Sequence, residues 1–177
     1  TNDYSSADYY YVNKSSLPKV YGGFNTSLSW KGFDLSAIFA YSIGGYIYNR
    51  DITMILHNGS LEGRDWSTEI LRRWTPDNRY TDVPALSTTS NNWNSASTRF
   101  LQNNSYMRLK NLTLSYNLPK QWISKLSLSS VQVYVQGDNL FTIHRNQGLD
   151  PEQGITGITY YRYPAMRTIS GGINVSF

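Results

Sequence analysis

The sequence predicts an all-β protein, an antiparallel segment of a transmembrane β-barrel with about five strands, long external loops and a short loop helix. Apolar and polar residues alternate in five segments, most regularly in residues 167–177, as expected of strands with one apolar and one polar face. The connections between these segments are alternately short and long, which is typical of outer-membrane barrels. The sequence has no uninterrupted apolar run of the roughly 18 residues that a transmembrane helix needs.

Composition narrows the class of protein further. Charged residues make up 16% of the 177 residues, below the roughly 25% of a typical soluble domain. Aromatic residues make up 15%, which suits the aromatic girdles of a membrane barrel and equally a carbohydrate-binding surface. The net charge is only +4 and lysine and arginine are dispersed, so nucleic acid binding is not expected. Cysteine is absent, which excludes disulfides and thiolate metal sites.

The first two predicted strands, Val20–Trp30 and residues 33–48, form a hairpin. Both alternate regularly, and Ile38 is the one clear exception in the second strand. Lys31 and Gly32 separate the two strands, and a two-residue connection of this kind is a strong hairpin signal.

Three further strands follow, at residues 106–118, 130–141 and 167–177. In the third strand the alternation fails upstream, where Arg108 and Lys110 occupy the apolar phase. Either a β-bulge resets the alternation or this part of the strand projects beyond the bilayer.

The connections give the predicted strands a direction. The links at residues 31–32 and 119–129 are short, whereas those at residues 49–105 and 142–166 are long. Barrels of the outer membrane have tight periplasmic turns and long external loops, so the short links are assigned to the periplasmic side. Aromatic residues collect near both predicted ends: Trp30, Tyr116 and Phe177 on the periplasmic side, and Tyr46, Tyr48 and Phe141 on the external side.

The longest loop contains a predicted short helix at residues 61–74. Trp66, Ile70 and Trp74 recur at four-residue spacing, which would place them on one face of a helix. This spacing favours packing of both tryptophans within the loop over contact with a ligand. A turn at residues 75–78 is predicted to end the helix.

Catalysis, a metal site and a bound cofactor are not predicted. His57 and His144 lie far apart in predicted external loops, so two solvated histidines are favoured over a metal site. Asp150 and Glu152 flank Pro151, which favours a turn over a catalytic pair of carboxylates. The sequence lacks a serine nucleophile motif.

The chain resembles the C-terminal end of SusC/RagA-type TonB-linked outer membrane proteins. The resemblance covers nearly the whole chain, in six blocks that follow one another in order: LSWKGFDLSAIFAYSIGGYIYN, RRWTPDNRYTDVPAL, SYMRLKNLTLSYNLPK, VQVYVQGDNLFTI, GLDPE and RTISGGINVSF.

The resemblance implies an active importer of oligosaccharides or peptides, and not an enzyme, in the outer membrane of a Gram-negative bacterium. It implies a 22-stranded, multi-pass barrel of which residues 1–177 are the C-terminal part, the plug and the earlier strands being absent. A SusD-like surface lipoprotein would cover the barrel, and TonB would act through the missing N-terminal region. Phe177 would belong to the signal that the barrel assembly machinery recognises, with plain anchoring at the bilayer interface as the alternative.

Position in the predicted loops and strand phases also suggests site residues. Trp93, Tyr9, Tyr10 and Tyr11 lie in external segments, where they would either contact the substrate or the lid, or hold the loops together. Five polar residues are predicted to face the barrel lumen and either line the transport path or only hydrogen-bond to the plug and water: Gln132, Tyr134, Gln136, Asn174 and Ser176.

The competing prediction is a soluble β-sandwich that binds carbohydrate. In such a protein two sheets would bury the apolar phase against each other. In a barrel the same side chains, among them Val131, Val133, Val135, Ile173 and Val175, would face lipid.

Overall fold

The computed structural model describes residues 3–59, 61–89, 92–148, 150–152, 156–159 and 161–177. The chain divides into a sheet unit (residues 18–45, 104–152 and 163–177) and a loop unit (residues 1–17, 46–103 and 153–162). Leu149, in the block GLDPE, lies outside the described residues.

The described residues contain seven strands and two α-helices. The strands are β1 (Val20–Trp30), β2 (Phe33–Ile43), β3 (Tyr46–Tyr48), β4 (Leu101–Asn103), β5 (Tyr106–Asn117), β6 (Ser130–His144) and β7 (Thr168–Ser176). The helices are α1 (Arg50–Ile55) and α2 (Lys120–Ile123), and 3₁₀ turns lie at Tyr4–Ser6, Thr68–Arg72, Asn92–Asn94, Thr98–Phe100 and Ser124–Leu126. None of these helices has the length and hydrophobicity needed to cross a membrane.

The sheet unit contains one open antiparallel sheet with the order β1-β2-β5-β6-β7. All five predicted strands are confirmed, but the second is shorter than predicted. It ends at Ile43 because Gly44 and Gly45 take positive φ angles of 81° and 75°, which the extended backbone of a strand excludes. Residues 46–48 instead form β3, which pairs with β4 in the loop unit.

A β-bulge explains why Arg108 and Lys110 break the alternation. Ile38 of β2 pairs with Asn111, whereas its neighbour Phe39 pairs with Leu109, so Lys110 is the extra residue. One extra residue moves every earlier side chain of β5 to the opposite face. The predicted bulge is therefore confirmed, and Arg108 lies on the polar face of the sheet.

The register places the apolar phases of all five strands on one face. Phe24 stacks on Phe39 with ring centroids 4.7 Å apart, and Phe33 contacts Tyr116 at 4.5 Å. The apolar face continues across β6 and β7, where Val131, Val133 and Val135 pair with Val175, Ile173 and Gly171.

Among the described residues, no second sheet layer covers this apolar face. Val133, Val135, Ile173 and Val175 are between 43% and 64% exposed. The burial that a β-sandwich requires is therefore missing, and the competing prediction of a soluble sandwich is wrong. A continuous apolar face of this size instead matches the lipid-facing surface of a barrel wall.

Both short connections lie at the same end of the sheet, as predicted. Lys31 and Gly32 form a tight turn with φ angles of 48° and 87°. The connection between β5 and β6 contains α2, whose Ile123 is buried. Beside α2, the amide of Ser129 donates to the carbonyl of Ser176 (2.8 Å), so the last residue of β7 lies at the same end of the sheet.

We expect Gly32→Val to lower the free energy of unfolding by about 1–2 kcal/mol, because a residue with a Cβ is strained at positive φ. A Cβ at this position would also lie 3.1 Å from the carbonyl oxygen of Asn117. Urea titration of the receptor refolded in phospholipid vesicles measures the loss. Lys31→Asn is the control, since asparagine tolerates the left-handed region. An equal loss in both variants would show that the turn conformation is not the cause.

The loop unit has a small apolar core of its own, formed by Ile47, Ile70, Val83 and Phe100. Asn49 caps α1, its side-chain oxygen accepting the amide of Ile52 at 3.1 Å. Neither α1 nor the β3–β4 pair was predicted.

The predicted helix at residues 61–74 is wrong, and only the 3₁₀ turn Thr68–Arg72 forms there. Gly63 has a φ of 71°, and the amide of Trp74 donates to the carbonyl of Val83 (2.8 Å) instead of continuing a helix. Ile70 is buried, but Trp66 and Trp74 are 45% and 43% exposed, so the buried face expected for them is also wrong. The turn at residues 75–78 is confirmed by two backbone hydrogen bonds between Thr75 and Asn78.

Candidate functional site

The polar face of the sheet brings together the five residues predicted to face a lumen. Gln132 pairs with Asn174, and Ser130 pairs with Ser176, so these positions share one side of β6 and β7. Strand alternation places Tyr134 and Gln136 on the same side.

Amide and hydroxyl groups form a continuous chain across three strands of this face. The side-chain amide of Asn174 donates to the Gln132 oxygen at 3.2 Å. Gln132 in turn donates through its own amide nitrogen to the Ser115 hydroxyl, also at 3.2 Å. The chain fixes the orientation of the three side chains while leaving other hydrogen-bonding positions available to a solute.

Asp138 adds a negative charge that the sequence reading missed. Its carboxylate accepts the side-chain amide of Asn111 at 2.7 Å and that of Gln136 at 3.2 Å. The Thr113 hydroxyl donates to the Asn111 oxygen at 2.9 Å, which orients that amide toward Asp138. Around Asp138, the polar face therefore offers neutral donors and acceptors beside a carboxylate.

Tyr134 lies flat along the polar face because its neighbour on β7 is glycine. A Cβ at Gly172 would lie 2.6 Å from the Tyr134 hydroxyl oxygen, too close for any larger residue unless the ring moves. Gly172 thus leaves the space that the Tyr134 ring occupies.

An ionic cluster lies on the polar face near the end of β6. Arg108, only 3% exposed, donates to Asp150 through Nη2, to Glu152 Oε2 through Nη1 (2.7 Å) and to the Thr142 hydroxyl through Nε (2.9 Å). Lys110 Nζ lies 2.5 Å from Glu152 Oε1. Two cations therefore face two carboxylates, and the four formal charges sum to zero.

Asp150 is the centre of this cluster. Its Oδ1 accepts the amide of Glu152 at 2.9 Å and its Oδ2 accepts the amide of Ala165 at 2.6 Å. The turn predicted around Pro151 is thereby confirmed. The sequence contained a signal for its partners, since Arg108 and Lys110 stand as cations in a phase that should be apolar.

The pKa of Asp150 is lowered. Burial raises it, but the amide of Ala165, the guanidinium of Arg108 and the amide of Glu152 together outweigh burial because each favours the charged form. A carboxyl whose pKa is lower in the folded state stabilises the fold above its unfolded pKa of about 3.9. This contribution is lost as the pH falls through the folded pKa.

We therefore expect the Ala165 amide to remain protected from hydrogen exchange between pH 5 and 8 and to lose protection below about pH 4. Hydrogen exchange with mass spectrometry, corrected for the intrinsic exchange rate at each pH, measures this. In Asp150→Asn the transition should disappear, because asparagine does not titrate. A transition of unchanged size in that variant would assign the effect to another group.

The two histidines do not behave alike. His57 is 1% exposed, so the expectation that it is solvated is wrong. Its Nδ1 accepts the indole N–H of Trp66 at 3.0 Å and the amide of Gly59 at 3.3 Å. His144 is the exposed last residue of β6 and not a loop residue, and its Nδ1 lies 2.9 Å from the carbonyl oxygen of Asn146. No group of three or more potential metal-ligating side chains occurs in the described ranges.

Trp93 is packed into the loop unit and is not exposed as the polar sequence around it suggests. Its indole N–H donates to the carbonyl of Leu56 at 2.7 Å. The guanidinium of Arg99 lies 3.4 Å from its ring centroid and donates to the carbonyl of Asp82 at 2.6 Å. Of the two roles left open for Trp93, these contacts favour packing.

Tyr9, Tyr10 and Tyr11 are by contrast 80–94% exposed. Tyr9 and Tyr10 line a concave region of about 610 Å³ in the loop unit, together with Tyr4 and Tyr48. Their rings are therefore exposed on the surface of the loop unit.

Phe177 follows β7 directly and is almost fully exposed. It stands in the same alternation phase as Ile173 and Val175, whose side chains belong to the apolar face.

No protein-family model matches the chain. Comparison with known proteins finds relatives that are all named TonB-dependent receptors. The chain is 34% identical over 166 residues to TonB-dependent receptor P3 of Formosa agariphila, a match that covers 88% of the chain. It is 31% identical over 182 residues to TonB-dependent receptor P26 of the same organism, and 27% identical over 168 residues to TonB-dependent receptor SusC of Bacteroides thetaiotaomicron. The chain spans only 16–18% of the length of these relatives.

Solved structures agree with the sequence relatives. The RagAB peptide importer in its closed-closed state matches 94% of the chain with a TM-score of 0.81 and 36% identity. Its open-open state matches equally well, with a TM-score of 0.81 and 35% identity. The match covers 18% of the matched chain in each structure, and the open five-stranded sheet corresponds to a fragment of that barrel. Together these matches and the register of the sheet establish that the chain belongs to the SusC/RagA family of TonB-dependent receptors.

Proposed function

We propose that this chain forms five C-terminal strands in the barrel wall of an active importer in the outer membrane of a Gram-negative bacterium. The observation that carries the proposal is the continuous apolar face of the sheet, which would face lipid. An open sheet would leave unpaired backbone groups at β1 and β7 in the hydrocarbon region, where each costs several kcal/mol. The remaining strands of a 22-stranded barrel would pair with both edges.

The proposed cargo is an oligosaccharide or a peptide. One relative carries the name SusC, and the matched structures are of a peptide importer. Both classes of solute are rich in hydrogen-bonding groups, which suits a polar face of amides, hydroxyls and one carboxylate around Gln132, Tyr134 and Gln136. Asn174 and Ser176 complete this proposed lumen surface.

The proposed partners are those of the family. A SusD-like surface lipoprotein would act as the lid, TonB would supply energy through a plug encoded upstream, and the barrel assembly machinery would insert the protein. Tyr9, Tyr10 and Tyr11 are proposed to contact the substrate or the lid because their rings are exposed. Trp93 is omitted from this set because Leu56 and Arg99 already engage both its N–H and its ring.

Cysteine scanning along β6 of the full-length receptor tests the proposal. Single cysteines at residues 131 to 136 would be treated in intact outer membranes with a lipid-soluble and with a membrane-impermeant maleimide. These 177 residues contain no cysteine, so they add no background labelling. The lipid-soluble reagent should label cysteines that replace Val131, Val133 and Val135. The impermeant reagent should label cysteines that replace Gln132, Tyr134 and Gln136. Labelling of the valine positions by the impermeant reagent, at rates equal to those of the polar positions, would contradict a lipid-facing wall.

We expect Phe177→Ser to reduce the amount of assembled barrel several-fold, because an exposed aromatic residue would be lost from the proposed assembly signal. The heat-modifiable band on SDS gels of outer membranes measures assembly. Ser176→Ala, on the opposite face, is the control and should assemble normally. Unchanged assembly of Phe177→Ser would remove the signal role, and an equal loss in both variants would point to general disruption of the strand.

A further inference from the structure

Two points of the connection between β6 and β7 are held together by a hydrogen bond, and these points, Asp150 and Ala165, are called its neck. Asp150 accepts the amide of Ala165, which joins two points on either side of residues 151–164. Residues 153–162 between them belong to the loop unit, whereas the two ends of the neck belong to the sheet unit. Within the sheet unit, the neck is held by Arg108 and Lys110 of β5.

Burial makes the arrangement strongly dependent on Arg108. The side chains of Arg108 and Asp150 are 4% and 7% exposed. A buried charge that loses its partner is strongly destabilised, whereas an exposed ion pair contributes little. Without Arg108, the Asp150 carboxylate would be left buried beside a second carboxylate, Glu152. Movement of the neck into water would relieve this repulsion.

All three guanidinium nitrogens of Arg108 donate hydrogen bonds. Three nitrogens of Arg108 donate to three different residues, Thr142 on β6 and both acids of the connection. A lysine at this position would keep the charge but could not span these acceptors, because its ammonium group is a single point. Within the described residues, Lys110 forms an ion pair with Glu152 but not with Asp150, so Lys110 does not substitute for Arg108.

We propose that Arg108 is a positioning residue that clamps the neck of the β6–β7 connection against the polar face of the sheet. The two ends of the neck are thereby held at the external mouth of the barrel, a location that rests on the proposed function. The four formal charges sum to zero, so the cluster holds the chain without adding net charge to the polar face.

The test uses the full-length receptor in intact outer membranes, digested with trypsin from outside. Arg162 is exposed and lies in the chain between Asp150 and Ala165. Cleavage of the peptide bond after Arg162 therefore reports release of the connection. We expect Arg108→Met to accelerate cleavage after Arg162 by on the order of tenfold or more, because a released segment opens locally. Arg108→Lys should give an intermediate rate. Arg145→Met, a change in an exposed arginine of the same connection, should match the wild type.

A second variant separates positioning from general damage. Asparagine at position 150 keeps an acceptor oxygen for the Ala165 amide but carries no charge. The double variant with Arg108→Met and Asp150→Asn should therefore return the cleavage rate toward the wild-type value, whereas Arg108→Met alone should not. The heat-modifiable barrel band should stay at the wild-type level in all variants. Wild-type cleavage in Arg108→Met, or loss of the barrel band in that variant, would overturn the proposal. Failure of the proposed function would show separately, as a loss of alternating maleimide labelling in β6.

Discussion

Val135→Arg is expected to destabilise the membrane-inserted barrel by about 2–4 kcal/mol, the cost of an arginine on the lipid face near the middle of a bilayer. Val135 lies near the middle of the apolar face, with Leu114 and Gly171 as its partners on the neighbouring strands. A guanidinium placed there would have to thin the bilayer or draw in water. Urea unfolding of the receptor in phospholipid vesicles, followed by tryptophan fluorescence, measures the loss.

Gln136→Arg is the matched control, because it places the same side chain one residue along the strand and on the opposite face. Its neighbour Asp138 would stabilise the new cation, so we expect a change of less than about 1 kcal/mol. Similar losses for both variants would contradict the assignment of lipid-facing and polar faces. A larger loss for Gln136→Arg would reverse that assignment.

Phe100→Ala is expected to destabilise the loop unit by about 3–5 kcal/mol, the usual cost of removing a buried phenylalanine ring. Phe100 is among the largest fully buried side chains, and its ring meets that of Tyr48 edge-on at a centroid distance of 6.1 Å. Its carbonyl also accepts the amide of Asn49 at 2.8 Å. Loss of the ring should let this part of the unit open more often.

Hydrogen exchange of the Asn49 amide measures the effect, and exchange should become faster by two or more orders of magnitude if opening is local. Leu71→Ala is the control, since Leu71 is an exposed leucine of the same unit. The amides of β6 should keep their protection, because the sheet has its own backbone ladder. Unchanged exchange at Asn49 would show that Phe100 does not hold the unit together.

The predicted strands were accurate because each has a local cause. Alternation with a period of two follows from the backbone geometry of a single strand, so β1 was predicted to the residue and β7 to within one residue at each end. The bulge near Lys110 was also visible, since a single extra residue reverses the phase that follows it. The end of β2 was missed because Gly44 and Gly45 were read as strand residues, although both take positive φ.

The candidate site was predicted only in part. Gln132 and Asn174 were placed on one face by their phase alone, and the hydrogen bond between them follows from strand pairing. The packing of Trp93 was not predictable, because its partner Leu56 is 37 residues away in a connection without regular periodicity. The helix expected at Trp66 and Trp74 failed for a similar reason, since the hydrogen bond from Trp74 to Val83 replaced the local helical one.

The sequence by itself determined which side of each strand is apolar, where the hairpin turn lies and which end of the sheet carries the short links. These features depend on neighbouring residues, whose spacing and backbone preferences are fixed locally. Only the tertiary structure decided that Arg108 meets Asp150 across 42 residues and that His57 is buried. Such contacts form because a charge or a polar group removed from water needs a partner, and only the folded chain determines which partner is within reach.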